Sequence, residues 1–337
     1  MAPAVIENPI LNSPFDAPSR HHRFDDEGIT SDIVESRRES AYFVPIAQPR
    51  ARGARRLFDE LPSKREENKE INRIRAKVNQ WRSGGYVDVT PTTRRLLEYW
   101  SNVERAKPLF FCQREAVETA IYLTEVATKY GDAWIANRLK EENDQYNAAL
   151  PRVAFKMATG SGKTVVMGMM IAWQALNKLA NRQDARFSDA FLIVTPGITI
   201  RDRLRVLLPS DPNNYYRERD LLPPDLMERL GEARIVITNY HAFLPREKGD
   251  GSRLTKSLLG VPEAFKESSD EVARRVCRDL GGRKQLIVIN DEAHHCYWSK
   301  PDAAREALAG DDLAEAKERE KSARVWSSGL EAVQRKF

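Results

Sequence analysis

Along residues 151–337, short runs of apolar residues alternate with stretches in which apolar residues recur every three or four positions. The runs are RVAFKM, AFLIVT, ARIVIT and QLIVIN. Near-continuous apolar strands joined by helical crossovers are typical of a parallel sheet with helices on both faces. We therefore predict four strands, a helix from Lys163, a helix near 269–280 within a polar connection, and a long charged helix after the last strand.

The first 150 residues have a different pattern. Between about 61 and 150, apolar residues are spaced as on one face of a helix, and four helices are predicted. Residues 1–60 are rich in Pro, Ser, Arg and Asp, and only 39–48 is predicted to be extended. We therefore predict a partly disordered extension over 1–60, a helical region over 61–150 and an α/β domain over 151–337.

Charge and cysteine content narrow the class of protein. The 54 Lys and Arg residues exceed the 49 acids and give a net charge of +5, which mildly indicates a polyanionic partner. Cys112, Cys277 and Cys296 lie far apart, so neither a zinc site nor a disulfide framework is indicated. The N-terminus lacks the basic and apolar regions of a signal peptide, and no run of about 18 apolar residues occurs. We expect a cytoplasmic protein that does not enter the membrane.

The segment KMATGSGKT contains a glycine-rich loop between a predicted strand and a predicted helix, and we call residues 158–162 the phosphate loop. Glycines let backbone N–H groups approach phosphate, and the start of the helix adds its positive end. In such a loop the lysine contacts the β- and γ-phosphates of ATP, and the following hydroxyl binds Mg²⁺. A glycine turn followed by a chance Gly-Lys-Thr is the alternative. The residues predicted to bind the nucleotide are Gly160, Ser161, Gly162, Lys163 and Thr164, with Thr164 also a metal ligand.

Two carboxylates, Asp291 and Glu292, directly follow the apolar run QLIVIN. The carboxyl ends of parallel strands meet at one edge of a sheet, so we expect this pair beside the phosphate loop. There Asp291 would hold Mg²⁺, mostly through water, and Glu292 would orient and deprotonate the attacking water. A solvated strand end is the plainer interpretation of an isolated Asp-Glu pair. With the phosphate loop upstream, we predict Lys163, Asp291 and Glu292 as catalytic residues.

Two motifs resemble those of superfamily 2 helicases and translocases. The sequence from Asp291 to His294 spells a DEAH box, and ATGSGKT resembles motif I of that superfamily. Met157 stands where the usual loop has Gly or Ala, and in this it resembles the branch that contains restriction-enzyme motor subunits. NPILNSPF, RFDDEGIT and ARVWSSGLEAVQRKF also resemble segments of type III restriction enzyme Res subunits. The resemblance runs nearly end to end and implies a RecA-like fold for the α/β domain.

The resemblance also implies roles for residues outside the two motifs. Gln113, in LFFCQREAVETAIYL, is similar to a glutamine that contacts adenine, and His294 is similar to a residue that couples nucleotide state to motif III. FLIVTPGITIRDRL and ARIVITNYHAF resemble segments that contact nucleic acid. A strand-end turn and a surface arginine remain the plainer interpretations of Thr195 and Arg201. The implied nucleic-acid contacts are Thr195, Arg201, Thr238 and Asn239.

In that family, ATP hydrolysis with Mg²⁺ drives movement along double-stranded DNA, a separate nuclease domain cuts, and a methyltransferase (Mod) subunit recognises the sequence. We therefore expect the ATP-binding lobe of such an enzyme. The sequence stops at Phe337, before motif III and the second motor lobe with its arginines, so full activity is expected only in a longer protein. Two alternatives stay open: a DEAD or DEAH helicase for DNA or RNA outside restriction, and a nucleotide-binding module with negligible turnover.

Overall fold

The computed structural model describes residues 9–25, 28–45, 63–147, 150–247, 266–296 and 311–337. The elements before the phosphate loop are β1 (His21–Asp25), β2 (Gly28–Val34), β3 (Ala41–Pro45), β4 (Ser63–Glu67), α1 (Lys69–Ser83), α2 (Pro91–Ser101), α3 (Phe111–Ile121) and α4 (Ala133–Tyr146). The elements after it are α5 (Lys163–Ala180), β5 (Ala190–Thr195), α6 (Ile198–Arg203), α7 (Tyr215–Glu218), α8 (Met227–Leu230), β6 (Arg234–Asn239), α9 (Ser269–Val276), β7 (Ile287–Asn290) and α10 (Asp311–Lys336). Within these ranges, no helix has the length and apolar character to cross a membrane.

A parallel sheet of three strands forms the centre of the fold, with β5 between β6 and β7. Ile193 of β5 lies opposite Ile237 on one side and Ile289 on the other. All six residues of β5 are buried because helices cover both faces of the sheet, which explains why this run is apolar at nearly every position. The parallel strands and their helical crossovers confirm the predicted α/β class.

Successive side chains of β5 enter two different cores, because neighbouring residues of a strand point to opposite faces. Phe191 and Ile193 pack in one core with α5 and with residues of α1, α2 and α3. Leu192 and Val194 pack in a second core with α9 and α10. The helices of the 61–150 region therefore share the first core with the sheet.

Glu125 is the centre of a buried polar network that ties the helical region to α5. It lies in a π-helical turn (Tyr122–Val126) that continues α3. Its carboxylate accepts hydrogen bonds from the Thr90 backbone N–H at 2.8 Å, the Thr93 hydroxyl at 2.6 Å and the Trp173 indole N–H at 2.9 Å. A buried carboxylate needs several such donors to offset its lost hydration. The network thus joins the first turn of α2 to the helix that begins at the phosphate loop.

Residues 9–25 and 28–37 form an N-terminal arm that runs along the first turns of α3. The arm contains the antiparallel hairpin of β1 and β2, which the sequence did not predict. The Phe111 backbone N–H donates to the Pro14 carbonyl at 2.8 Å, and the Arg114 guanidinium donates to the Phe15 carbonyl at 2.7 Å. Further along the arm, a guanidinium forms a two-pronged ion pair with a carboxylate of α3, between Arg37 and Glu115. These contacts hold the arm against α3.

Two strand predictions for the flanks of the helical region differ from the structure. The predicted strand 152–157 is wrong: it forms no hydrogen-bonded strand, and Val153 is 52% exposed and Phe155 39% exposed. A strand needs a neighbour, and no strand in the described ranges pairs with this segment. Conversely, the residues that were predicted to lead into the first helix form the strand β4 instead. This strand pairs with β3, which lies within the segment predicted to be extended, and α1 begins only at Lys69.

The polar connection between β6 and β7 is described only at its two ends, since residues 248–265 lie outside the described ranges. The helix predicted near 269–280 forms as α9 followed by a 3-10 turn (Arg278–Leu280). The Ser268 hydroxyl accepts the Glu271 backbone N–H, and the Glu271 carboxylate accepts the Ser268 backbone N–H, so a reciprocal cap begins α9. The predicted long charged helix forms as α10.

Candidate nucleotide-binding site

The phosphate loop turns on two glycines with left-handed backbone conformations. Gly160 has a φ of 80° and Gly162 a φ of 82°, a region in which a residue with a Cβ is strained. The Ser161 backbone N–H and hydroxyl both donate to the Ala158 carbonyl, at 3.3 and 2.6 Å. Gly162 is the N-cap of α5, so the loop ends at the positive end of an 18-residue helix. The sequence therefore builds the backbone conformation that a phosphate-binding loop needs.

Gln113 supports the phosphate loop from the neighbouring helix α3. Its side chain is buried, its Oε1 accepts the Phe110 backbone N–H at 2.9 Å, and its Nε2 donates to the Ser161 carbonyl at 3.0 Å. A Cβ at Gly162 would lie only 2.1 Å from this Nε2, so an alanine there would displace the Gln113 side chain from the loop as well as strain the backbone. The structure thus shows Gln113 in contact with the loop, while the adenine contact implied by resemblance stays a prediction.

Asp291 and Glu292 lie directly after β7, at the same edge of the sheet as the loop. The Asp291 backbone N–H donates to the Val194 carbonyl at 3.0 Å, so pairing with β5 continues to this residue. Glu292 has a φ of 51°, a left-handed conformation that is uncommon for a residue with a Cβ. Its Oε1 is 3.4 Å from Lys163 Nζ, and its Oε2 is 3.4 Å from His294 Nδ1. The fold thus brings together residues that are distant in the sequence.

Burial raises the pKa of Asp291 above its ordinary value, and the neighbouring Glu292 carboxylate raises it further. A hydrogen bond from the Glu292 backbone and the positive charges of Lys163 and Arg203 lower this pKa without cancelling the increase. A divalent cation beside Asp291 would favour the ionised carboxylate because it supplies opposite charge. Sequence reasoning gave Arg203 no role, since its electrostatic effect on Asp291 arises only from the fold.

The residues at this edge fit a nucleoside triphosphate with Mg²⁺. Asp291 offers a carboxylate and Thr164, the second residue of α5, a hydroxyl, and oxygen ligands are those that Mg²⁺ prefers. Lys163 begins α5 and supplies positive charge for phosphate oxygens. Around Gly160 the loop is open, because an added Cβ there would meet no atom within 4 Å. These residues would hold phosphates at the loop and the metal near Asp291.

The residues predicted to contact nucleic acid lie at the carboxyl ends of β5 and β6 and on α6. Thr195 lies opposite Asn239 in the sheet, next to Thr238. Thr195 is fully buried and its hydroxyl donates to the Gly197 carbonyl at 2.9 Å, while Arg201 is paired with the residue that follows it. A side-chain contact from Thr195 would therefore need a local rearrangement. All four nucleic-acid contacts remain predictions.

One residue beside the site was missed by sequence reasoning. Trp326 is buried in α10, and its indole N–H donates at 3.1 Å to Oδ1 of Asn290, the residue before Asp291. The Trp326 ring also stacks on Tyr240, with a centroid separation of 5.5 Å and an interplanar angle of 4°. Because Tyr240 directly follows β6, Trp326 links the carboxyl ends of β6 and β7. No local pattern in the charged segment around Trp326 predicts this contact.

A separate open groove of about 760 Å³ lies at the other end of β6. Its lining includes Arg217, Met227 and Arg234, and Arg234 is the first residue of β6, whereas the candidate site lies beyond the last residues of the strands. The groove walls mix apolar groups with charges of both signs, so we assign no ligand to it. A search for the site by surface shape alone would therefore have selected this groove and not the residues of the candidate site.

Comparison with known proteins identifies the family. Residues 107–315 match the family described as "Type III restriction enzyme, res subunit", a range that contains Gln113, the phosphate loop and Asp291. Neither the curated proteins nor the solved structures gave a match. The family has a RecA-like P-loop fold, as predicted, and its members are ATP-dependent helicase-like modules that use a nucleotide and Mg²⁺ in general. Since the match covers more than half of its length, the chain belongs to the family of type III restriction enzyme res subunits.

Proposed function

We propose that this chain is the ATP-binding lobe of an ATP-dependent DNA translocase or helicase subunit of a type III-like restriction endonuclease. The observation that carries the proposal is the approach of Lys163 Nζ to Glu292 Oε1, at 3.4 Å. In nucleotide hydrolases with a phosphate loop, its lysine binds the β- and γ-phosphates, and carboxylates of the same site serve the metal and the attacking water. The convergence of these groups, together with the family, supports ATP hydrolysis at this edge of the sheet.

The phosphates of ATP would be bound by the loop and the start of α5. Backbone N–H groups of Gly160, Ser161 and Gly162 would donate to phosphate oxygens, and Lys163 would neutralise their charge. Thr164 and Asp291 would hold Mg²⁺, which when bound supplies further neutralisation of the β- and γ-phosphates. The base would lie toward α3, where Gln113 already contacts the loop.

Glu292 would act on the water that attacks the γ-phosphate. Its carboxylate is about one-third exposed, so water can reach it, and its two oxygens are held by Lys163 and His294. The carboxylate would orient the water and accept its proton, while Lys163 stabilises the charge left on the departing diphosphate. We also propose that His294, through its contact with Glu292, couples the state of the nucleotide to neighbouring elements in the intact enzyme.

The proposed polymer is double-stranded DNA, contacted at the edge of the sheet by residues of the family's nucleic-acid segments. Contacts from this edge would reach DNA phosphates and would be independent of sequence. Recognition of a specific sequence would belong to a methyltransferase (Mod) subunit, as the family implies. The net charge of +5 supports a polyanionic partner. The residues proposed for DNA contact are Thr195, Arg201, Thr238 and Asn239.

The proposed site also gives the proposed domains separate roles. Residues 61–150 would supply the base side through Gln113, and residues 151–337 would supply the phosphate, metal and DNA sides. Residues 1–60 would act as an extension whose arm supports α3. This division predicts that substitutions in α3 alter nucleotide affinity without removing any group that binds phosphate.

A nucleotide titration tests the proposed function. Binding of a fluorescent ATP derivative would be measured with Mg²⁺ and with a chelator for the wild type, Lys163→Ala and Lys156→Ala. We expect Lys163→Ala to bind at least about tenfold more weakly, because a charge-assisted contact is lost. Lys156 is exposed and precedes the loop, so its variant should match the wild type. Equal affinity for all three proteins would contradict the assignment of the phosphate loop.

A second measurement tests the polymer. ATP turnover would be compared without polymer, with double-stranded DNA and with RNA, at one fixed low salt concentration because phosphate contacts depend on salt. Stimulation by double-stranded DNA is expected. Stimulation by RNA alone would instead indicate a helicase that acts outside restriction.

A further inference from the structure

Phe15 is an aromatic residue of the N-terminal arm that is exposed although the backbone around it is held in place. Its carbonyl accepts the Arg114 guanidinium at 2.7 Å, and the preceding carbonyl, of Pro14, accepts the Phe111 backbone N–H at 2.8 Å. Phe15 itself is 38% exposed. The fold thus fixes the position of this residue on α3 and leaves part of its ring in contact with solvent.

The loop that carries Phe15 is closed by the side chain of Asn12. Its Oδ1 accepts the backbone N–H groups of Ser19 and Arg20, at 2.9 and 3.1 Å, and its Nδ2 donates to the Arg20 carbonyl at 2.9 Å. The Arg20 guanidinium in turn donates to the Leu11 carbonyl at 3.1 Å. A ring on a loop that is already ordered loses little conformational freedom when it binds a ligand.

Three successive contacts connect the phosphate loop to Phe15. The Ser161 carbonyl accepts Gln113 Nε2 at 3.0 Å, and Gln113 Oε1 accepts the Phe110 backbone N–H at 2.9 Å. The rings of Phe110 and Phe15 then pack together, with a centroid separation of 5.5 Å and an interplanar angle of 53°. Both rings therefore lie at the start of α3, next to the residue through which this helix contacts the loop.

We propose that Phe15 stacks on the adenine base of ATP. This inference rests on the proposed function, which places the phosphates at the loop and the base toward α3. An aromatic side chain offers a base an apolar face, and Phe110 limits the movement of the Phe15 ring because it packs against it. Stacking uses the face of the base, so it is compatible with the predicted hydrogen bond of Gln113 to the edge of adenine.

The proposed contact would contribute affinity without selecting the base. Every nucleobase has a face on which an aromatic ring can stack, so ATP and GTP would gain equally. Phe15 also lies outside residues 107–315, which match the family. The base would therefore be held partly by a residue that belongs to none of the nucleotide-binding motifs.

The test compares nucleotides with a ligand that has phosphates and no base. Isothermal titration with Mg²⁺ would measure the non-hydrolysable imido analogues of ATP and GTP and inorganic tripolyphosphate, for the wild type, Phe15→Leu, Phe15→Trp and Tyr146→Leu. Leucine keeps an apolar side chain against Phe110 but lacks the aromatic face. We expect Phe15→Leu to bind both nucleotides about tenfold more weakly, the usual effect of losing one ring that stacks on a base, and to bind tripolyphosphate as the wild type does.

Two further variants serve as controls. Phe15→Trp should retain wild-type affinity for both nucleotides, because it restores an aromatic face. Tyr146 is an exposed aromatic residue at the end of α4, so Tyr146→Leu should bind all three ligands as the wild type does. Circular dichroism would confirm that each variant is folded.

Several outcomes would overturn the inference. Wild-type nucleotide affinity of Phe15→Leu would exclude stacking. An equal loss for the nucleotides and tripolyphosphate would show that Phe15 only supports α3 and the loop, and weak nucleotide binding by Phe15→Trp would exclude a role of the aromatic face. Lys163→Ala separates these failures from failure of the proposed function: it should weaken all three ligands, and if it weakens none, the nucleotide site itself is misassigned.

Discussion

The two halves of the candidate site are supported in different ways. The phosphate loop follows an exposed segment that pairs with no described strand, and a buried side chain from another helix, Gln113, holds it in place. Asp291 instead continues the backbone pairing of β7 with β5, and Trp326 fixes Asn290 beside it. The loop conformation thus depends on glycines and one side-chain contact, whereas the carboxylates depend on a hydrogen-bonded strand. Substitutions in the loop should therefore disturb structure, and substitutions of the carboxylates should mainly disturb chemistry.

The largest expected effect is a fall in ATP turnover when a carboxylate of the site is substituted. Glu292→Gln keeps the shape of the side chain but removes the group that accepts the proton, so ATP turnover should fall by roughly 10²–10⁴. Affinity for Mg²⁺ and ATP should stay close to that of the wild type, because the strand that carries the residue is unchanged. Steady-state hydrolysis and a fluorescent-nucleotide titration would measure the two quantities. Wild-type turnover in this variant would remove Glu292 from the reaction.

The next effect contrasts two glycines of the loop that have the same backbone conformation. Gly160→Ala places a Cβ in open space, so only the left-handed conformation costs stability, about 1 kcal/mol. Gly162→Ala adds a collision with Gln113 and should cost about 3 kcal/mol in total. Urea unfolding without nucleotide would compare the two variants.

The double variant Gly162→Ala with Gln113→Ala sharpens this contrast, because it removes the collision and keeps the strain. It should be more stable than expected from the sum of the two single substitutions. Simple additivity would show that Gln113 does not hold the loop in solution.

A smaller effect concerns pH. The pKa of Asp291 is raised above 3.8, so its carboxyl group stays protonated to a higher pH than a free aspartate. Mg²⁺ affinity should therefore fall as the pH drops through this raised pKa, by at most about tenfold per pH unit, since one proton competes with the metal. Without Mg²⁺, the free energy of unfolding should instead increase as the pH falls, because the folded state binds this proton more tightly than the unfolded chain does. Isothermal titration at several pH values would measure the first effect.

Asp291→Asn is the control for both pH effects, since the amide does not titrate. Its Mg²⁺ affinity should be low at every pH. Without metal, it should be more stable than the wild type at neutral pH, and this difference should shrink as the pH falls. A wild-type pH profile in Asp291→Asn would assign the titration to another group.

The smallest effect is expected at Trp326, which supports the carboxylate half from α10. Trp326→Phe keeps a buried ring against Tyr240 but removes the hydrogen bond to Asn290, so the free energy of unfolding should fall by about 1–2 kcal/mol. Nucleotide affinity should not change, because backbone pairing with β5 still positions Asp291. A large loss of affinity in this variant would show that the strand alone does not hold the carboxylates.

The residues proposed for phosphate, metal and water could be chosen from the sequence because their signals are local. Each of these motifs is defined by the residues next to it: a glycine loop before a helix, and two carboxylates after an apolar run. The partners of strands are not local. RVAFKM and AFLIVT were both predicted as strands from their apolar residues, yet within the described ranges only AFLIVT has neighbours to pair with. The charged segment SKREE becomes a strand because it lies beside β3.

The contacts that support the candidate site could not be predicted from the sequence either. Gln113 was chosen through family resemblance as an adenine contact, but its position against Ser161 depends on how α3 packs beside the loop. Trp326 contacts Asn290 from a helix whose own sequence gives no sign of this contact. These positions follow from tertiary packing, which periodicity and propensity along one chain do not encode.

The N-terminal arm determines where a fragment that contains the candidate site should begin. Pro14 and Phe15 provide the carbonyls that bond to Phe111 and Arg114, at the start of the helix that carries Gln113. A fragment trimmed to the family-matched region, from residue 107 onward, would keep Gln113, the phosphate loop and the two carboxylates but lose these acceptors. Laboratory designs, purification tags and protease sites should therefore leave the segment from residue 9 onward intact, because the matched boundary is not the boundary of the folded unit.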